Sequence, residues 1–132
     1  MASIFTRIVN GEIPCHKIAE TEDYLAFLDL RPQAFGHTLC ITKQEIDYIF
    51  DVEDELYAGL WMFAKTVAKA VKKVVPCTRV CVVVIGDEVR HTHVHLIPFN
   101  SMEDMRFSGK AKVTVTPEEM AALAARIAAQ VL

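Results

Sequence analysis

The sequence predicts an α+β fold: a mainly antiparallel five-stranded sheet, one long central helix and a C-terminal helix. Three observations carry this expectation. Short apolar runs rich in strand-forming residues lie between turn signals through the first forty residues. One apolar stripe at helical spacing fills 52–74. Two further strand-like runs then meet at a turn near Gly86.

Taken in order, Ser3 to Val9 forms a short helix with Ser3 as its cap, and "NGEIP" ends it. "HKIAE" and "YLAFLDL" are strands joined by the polar turn "TED". "RPQAFG" is a loop, and "HTLCIT" a third strand. A long helix is expected from Asp51 to Pro76, with Val52, Leu56, Leu60, Phe63, Val67, Val71 and Val74 on one stripe. Lys72 and Lys73 suit the negative end of its dipole. The β-branched run "RVCVVVIG" predicts a buried strand, paired antiparallel with "HTHVHLIPF". The last helix opens on Thr116, with Pro117 in its first turn and Glu119 closing a capping box.

The 132 residues fit a single domain, 1–132. Hydrophobic residues make up 52% and charged residues 23%, which is a globular and not a disordered composition. A net charge of −3 argues against nucleic acid or an anionic membrane as partner. No signal peptide and no run long enough to span a bilayer is evident. Cys15, Cys40, Cys77 and Cys81 form no CxxC pair, so reduced thiols and a cytoplasmic location are expected. Cys40 and Cys81 sit in apolar runs and are expected to be buried.

The chemistry concentrates in "HTHVHLI". His91, His93 and His95 alternate, so a strand would place all three on one face, with Thr92, Val94 and Leu96 on the face that packs on a helix. Three uses are open to such an array. It can be structural. It can hold a metal through paired imidazoles, with help from Asp87 or Glu88. It can supply a nucleophile to phosphorus, provided that one ring nitrogen is held by an acceptor and the other keeps its lone pair.

These residues resemble the histidine triad (HIT) family, whose motif is His-x-His-x-His followed by two apolar residues, in its Hint-like and bacterial branch. The resemblance extends to "IFTRIVNGEIP" and "YLAFLDLRPQAFGHTLCITK" and covers nearly the whole chain. It implies a HIT-like fold and a hydrolase or transferase acting on the α-phosphate of purine nucleotide conjugates. Phosphoramidates and dinucleoside polyphosphates are the substrate classes, and a nucleotidyl-histidine is the intermediate. By the same resemblance His93 is the nucleophile, His95 positions the triad and the phosphate, and His91 lies near the leaving group. His37 is a fourth histidine beside the triad, and Asp29 bonds the ribose hydroxyls. Phe5, Ile8, Phe27 and Leu28 lie near the nucleobase.

No cofactor and no metal are implied, and a homodimer is. The chain departs from the phosphoramidase pattern in lacking an Asn on the strand before the triad. It also carries Asp87 and Glu88 where Gln and Ser or Thr stand. Those two carboxylates are a solvated turn, orient a histidine, or favour a cationic leaving group, with Arg90 at hand to pair with one. Met102, Met105 and Phe107 are expected to cover the site or to meet a partner subunit. Two other classes stay open: a non-catalytic nucleotide-binding or interaction protein of the same fold, and a metal-dependent hydrolase.

Overall fold

A computed structural model describes residues 2–109 and 113–132. Helix α1 (Ile4–Val9) is capped by Ser3, whose hydroxyl accepts the Thr6 N–H. Strands β1 (Lys17–Glu20), β2 (Tyr24–Leu28) and β3 (Thr38–Thr42) form an antiparallel meander. Helix α2 (Asp54–Val74) crosses to β4 (Arg79–Val83), which pairs with β5 (His93–Phe99). Helix α3 (Pro117–Ala128) closes the described chain, with the expected Thr116–Glu119 capping box. The strand order is β1-β2-β3-β5-β4, so β5 is inserted beside β3 and the histidine strand lies inside the sheet.

The two faces of the sheet have different tasks. Ala26, Leu28, Cys40, Val94 and Leu96 meet Leu60, Val67 and Val71 of α2 and Leu123 and Ile127 of α3 in the main core. Leu25, Phe27, Leu39 and Ile41 face the other way and are covered by Phe5, with Ile8 and Val9 at its margin. His93 stands opposite Ile41 and His95 opposite Leu39. Residues directly opposite each other share a face, so both imidazoles lie on the α1 side.

Three expectations need correction. Helix α2 starts at Asp54 and not at Asp51. Residues Ile49–Asp51 form a separate 3-10 turn, Val52 is extended, and the Glu53 carboxylate caps the helix by accepting the Leu56 N–H. Strand β4 is an edge strand and is not buried: Cys81 is only half-buried and Val82 is 48% exposed. A β-branched run fits an edge as well as a centre, so composition alone could not separate the two. The strand expected from His91 begins at His93, because the Thr92 N–H and hydroxyl both go to the Ile46 carbonyl.

Candidate active site

The site is assembled where α1, the β2–β3 loop and the start of β5 converge. His93 is 6% exposed and His91 is completely buried. Phe5 packs edge-to-face with both rings, at centroid distances of 4.9 Å to His93 and 5.7 Å to His91. His95 is half-buried, with its ring 4.8 Å from that of His93.

The hydrogen bonds fix which nitrogen of each ring carries a proton. His93 Nδ1 lies 2.6 Å from the His91 carbonyl oxygen, which only accepts, so Nδ1 donates. A neutral His93 therefore keeps its lone pair on Nε2. Burial is the main influence holding the His93 pKa below its ordinary value; the bond to the His91 carbonyl pulls it back up, and the nearby His91 lowers it further. The ring is thus held in the neutral form that a nucleophile needs.

His91 is bound at both ends. Its Nε2–H donates to the Thr42 carbonyl at 2.6 Å, so Nδ1 accepts, and the Ser3 hydroxyl lies 2.7 Å from it. Burial lowers its pKa as well, against the opposing pull of the Thr42 carbonyl and Glu45. Both ring nitrogens of His91 are therefore engaged within the protein. What His91 gives the site directly is its backbone carbonyl.

The second relay starts in the loop before β3. The Gln33 N–H donates to His37 Nδ1 at 2.9 Å, which makes His37 neutral with its proton on Nε2. His37 Nε2–H then donates to His95 Nδ1 at 2.9 Å, leaving the proton of a neutral His95 on its own Nε2. Asp29 stands 3.6 Å from His37 Nε2, and one of its oxygens accepts the Arg31 N–H. Gly36 makes this loop possible: its φ is +94°, and an added Cβ would lie 2.7 Å from Val75 Cγ2.

Among the described residues, Asp29, His37 and His95 form the one group able to offer a metal three donor atoms, all within 4.8 Å of one another. Two of those three donor atoms, His37 Nε2 and His95 Nδ1, are joined to each other by a hydrogen bond of 2.9 Å.

Phe27 and Ile8 extend the apolar cluster beside Phe5. Leu28 does not. It is the next residue on the strand and so points to the opposite face, into the core against the helices. Asp87 and Glu88 are exposed on the turn before the triad. Arg90 pairs with Asp47 at 3.3 Å and not with either of them. Phe107 reaches the site and packs edge-to-face with His95 at 5.8 Å, whereas Met102 is 74% exposed. Residues 110–112 of that segment lie outside the described residues.

Beside His93, β4 parts from β5 beyond the Val83–His95 pair and leaves a cleft of about 480 Å³. Tyr48, Phe50, Trp61 and Ile85 line it.

A HIT-domain family model matches residues 10–102. The chain belongs to the HIT family. Its similarity to an adenosine 5′-monophosphoramidase of Schizosaccharomyces pombe is 34% identity, covering 99% of each chain. An adenosine 5′-monophosphoramidase of Saccharomyces cerevisiae is 39% identical over 74% of this chain and 62% of its own. Among solved HIT structures, a HIT-like protein from Bartonella henselae superposes with a TM-score of 0.81 at 30% identity, covering 97% of this chain and 95% of that one. A zinc-bound histidine triad protein of Mycobacterium smegmatis gives 0.80 at 26%, covering 99% and 94%.

Several partners in the site were not evident from the HIT resemblance. Gln33, Thr42 and Ile46 act through backbone groups, and Ser3 and Glu45 are distant in sequence from the histidines. The one sequence signal among them was Ser3 as a helix cap. Nothing local said that the same hydroxyl would meet His91.

Proposed function

We propose that the protein is a nucleotidyl hydrolase or transferase that attacks the α-phosphate of purine nucleotide conjugates, with adenosine phosphoramidates the first substrates to test. The observation that carries this reading is the 2.6 Å bond from His93 Nδ1–H to the His91 carbonyl, because it leaves Nε2 as the nucleophilic atom. Nε2 attacks phosphorus, and the bond from phosphorus to the amine breaks. The amine leaves with a proton taken from solvent water at the open cleft. A second water then attacks phosphorus, the bond from phosphorus to Nε2 breaks, and AMP leaves with His93 returned to its neutral form. Once its Nε2 is bonded to phosphorus the His93 ring is cationic, and the His91 carbonyl on Nδ1–H stabilises that charge. His95 Nε2–H is the donor to a phosphoryl oxygen. The base rests against Phe5, Ile8 and Phe27, the ribose meets Asp29, and the leaving group faces the cleft of Tyr48 and Phe50.

The working unit in this reading is a homodimer of single-domain chains. It is supported by the edge strand β4 and by apolar side chains left outside, with Val82 48%, Ile85 53% and Met62 61% exposed. The exposed carboxylates of Asp87 and Glu88 favour a second reading, a nucleotide-binding protein that no longer turns over. AMP release from adenosine 5′-phosphoramidate, measured with chelator present for wild type and His93→Ala, separates the two. Turnover that His93→Ala abolishes supports the enzyme. AMP binding without turnover favours the second reading, and turnover lost to the chelator alone points to a metal.

A further inference from the structure

We infer that Ser3, held by Glu45, is a positioning residue for the His93 nucleophile. The inference rests on the nucleotidyl-transfer reading above and adds to it a group on the N-terminal helix.

Ser3 has two tasks with one hydroxyl. Its oxygen accepts the Thr6 N–H at 3.0 Å and caps α1. Its proton is directed to His91 Nδ1 at 2.7 Å, since Thr6 Oγ1 is farther away at 3.3 Å. His91 Nδ1 must accept, because Nε2–H is already given to the Thr42 carbonyl. Without a donor here, a buried lone pair would lose its partner, or the ring would take up a proton and become charged in an apolar setting.

Glu45 fixes the hydroxyl in place. One of its oxygens, Oε1, accepts both the Ser3 N–H and the Thr6 hydroxyl, each at 2.7 Å. These bonds hold the Glu45 carboxyl below its usual range, and it is the ionised form that accepts both. Glu45 follows β3 closely, so the helix cap is tied to the sheet next to the strand that carries the nucleophile.

The consequence reaches His93 through His91. The His91 ring is clamped between Ser3 and Thr42, and the next residue is clamped by the two bonds from Thr92 to the Ile46 carbonyl. With ring and backbone both fixed, the His91 carbonyl is aimed at His93 Nδ1. Phe5, two residues beyond Ser3, presses against both rings. Seating α1 and orienting the nucleophile are therefore one event.

The test compares Ser3→Asp, Ser3→Thr and wild type. Aspartate caps a helix about as well as serine but, ionised, has no proton to donate. Threonine keeps both functions. The readouts are thermal melting, kcat and KM for adenosine 5′-phosphoramidate, and ring-nitrogen and ring-proton NMR of the histidines. We expect Ser3→Asp to fold and to place a proton on His91 Nδ1. Its kcat should fall about tenfold or more, as misplacement of a reacting group does, with KM within about threefold. Ser3→Thr should match wild type. A wild-type kcat in Ser3→Asp, or an already protonated His91 Nδ1 in wild type, overturns the inference. If wild type turns over no substrate, the nucleotidyl-transfer reading fails separately. The hydrogen-bonded His93 Nδ1–H resonance then decides: its persistence unchanged in Ser3→Asp overturns the positioning role, and its loss or shift supports it.

Discussion

Replacing His37 with leucine tests the relay behind His95. Among the described residues the substitution removes two hydrogen bonds, from the Gln33 N–H to Nδ1 and from Nε2–H to His95 Nδ1, while placing an apolar side chain at a 2% exposed position. Each such bond contributes a net ~1 kcal/mol, so about 2 kcal/mol of stability should be lost. A chain of this length has an unfolding entropy near 0.3 kcal/mol/K, and the melting temperature should fall by about 7 °C. The functional effect is separate. His95 loses the His37 donor that selects its tautomer, so its Nε2–H is no longer guaranteed to the phosphate. Removing an oxyanion donor outright costs about 10²–10³ in kcat, and a misdirected one should cost about tenfold or more. Melting curves together with steady-state kinetics on adenosine 5′-phosphoramidate measure both. A melting temperature lowered as stated with kcat unchanged would refute the claim that His37 directs His95.

Three other outcomes are expected. Burial holds His91 and His93 below the ordinary 6.5, so the unfolded chain takes up more protons than the folded one as pH falls. Stability should be fully present above about 6.5 and decline as pH drops toward the folded-state values, and the acidic limb of kcat should lie below 6.5; melting and rate profiles between pH 8 and 5 check both. Phe5→Ala should cost about 3 kcal/mol in denaturant unfolding, since a side chain only 6% exposed that packs on His91 and His93 leaves a void. Gly36→Ala should destabilise by more than about 1 kcal/mol, because its φ of +94° and the 2.7 Å approach of Val75 both oppose a side chain; a neutral result in the same assay would contradict the close approach.

Much of the fold was legible because its signals are local. The Thr116 box, the Ser3 cap and the alternation of the triad each depend on a few adjacent residues. The edge position of β4 was not, because which strand lies beside β5 is decided by the whole sheet and not by the run itself. The start of α2 was misplaced for a related reason: Val52 is buried as the helical period suggests, but from an extended residue before the cap. Within the site, residue types found His93, His95, His37 and Asp29 through the resemblance. They could not reveal the partners that set the tautomers. Those are one donor, the Gln33 N–H, and two acceptors, the His91 and Thr42 carbonyls, backbone groups that every sequence carries and only a fold aims. Leu28 shows the limit of neighbourhood: one step along a strand moves a side chain from the α1 face to the main core.

The most direct test of the central claim is covalent capture of the intermediate. Wild type is mixed with adenosine 5′-phosphoramidate, quenched in base within the first turnover, digested and analysed by peptide mass. The account predicts an adenylyl group on the peptide carrying "HTHVHLI", assigned to His93 and absent in His93→Ala. AMP formation at the same rate with no adenylyl peptide, or with the group on another residue, would contradict it.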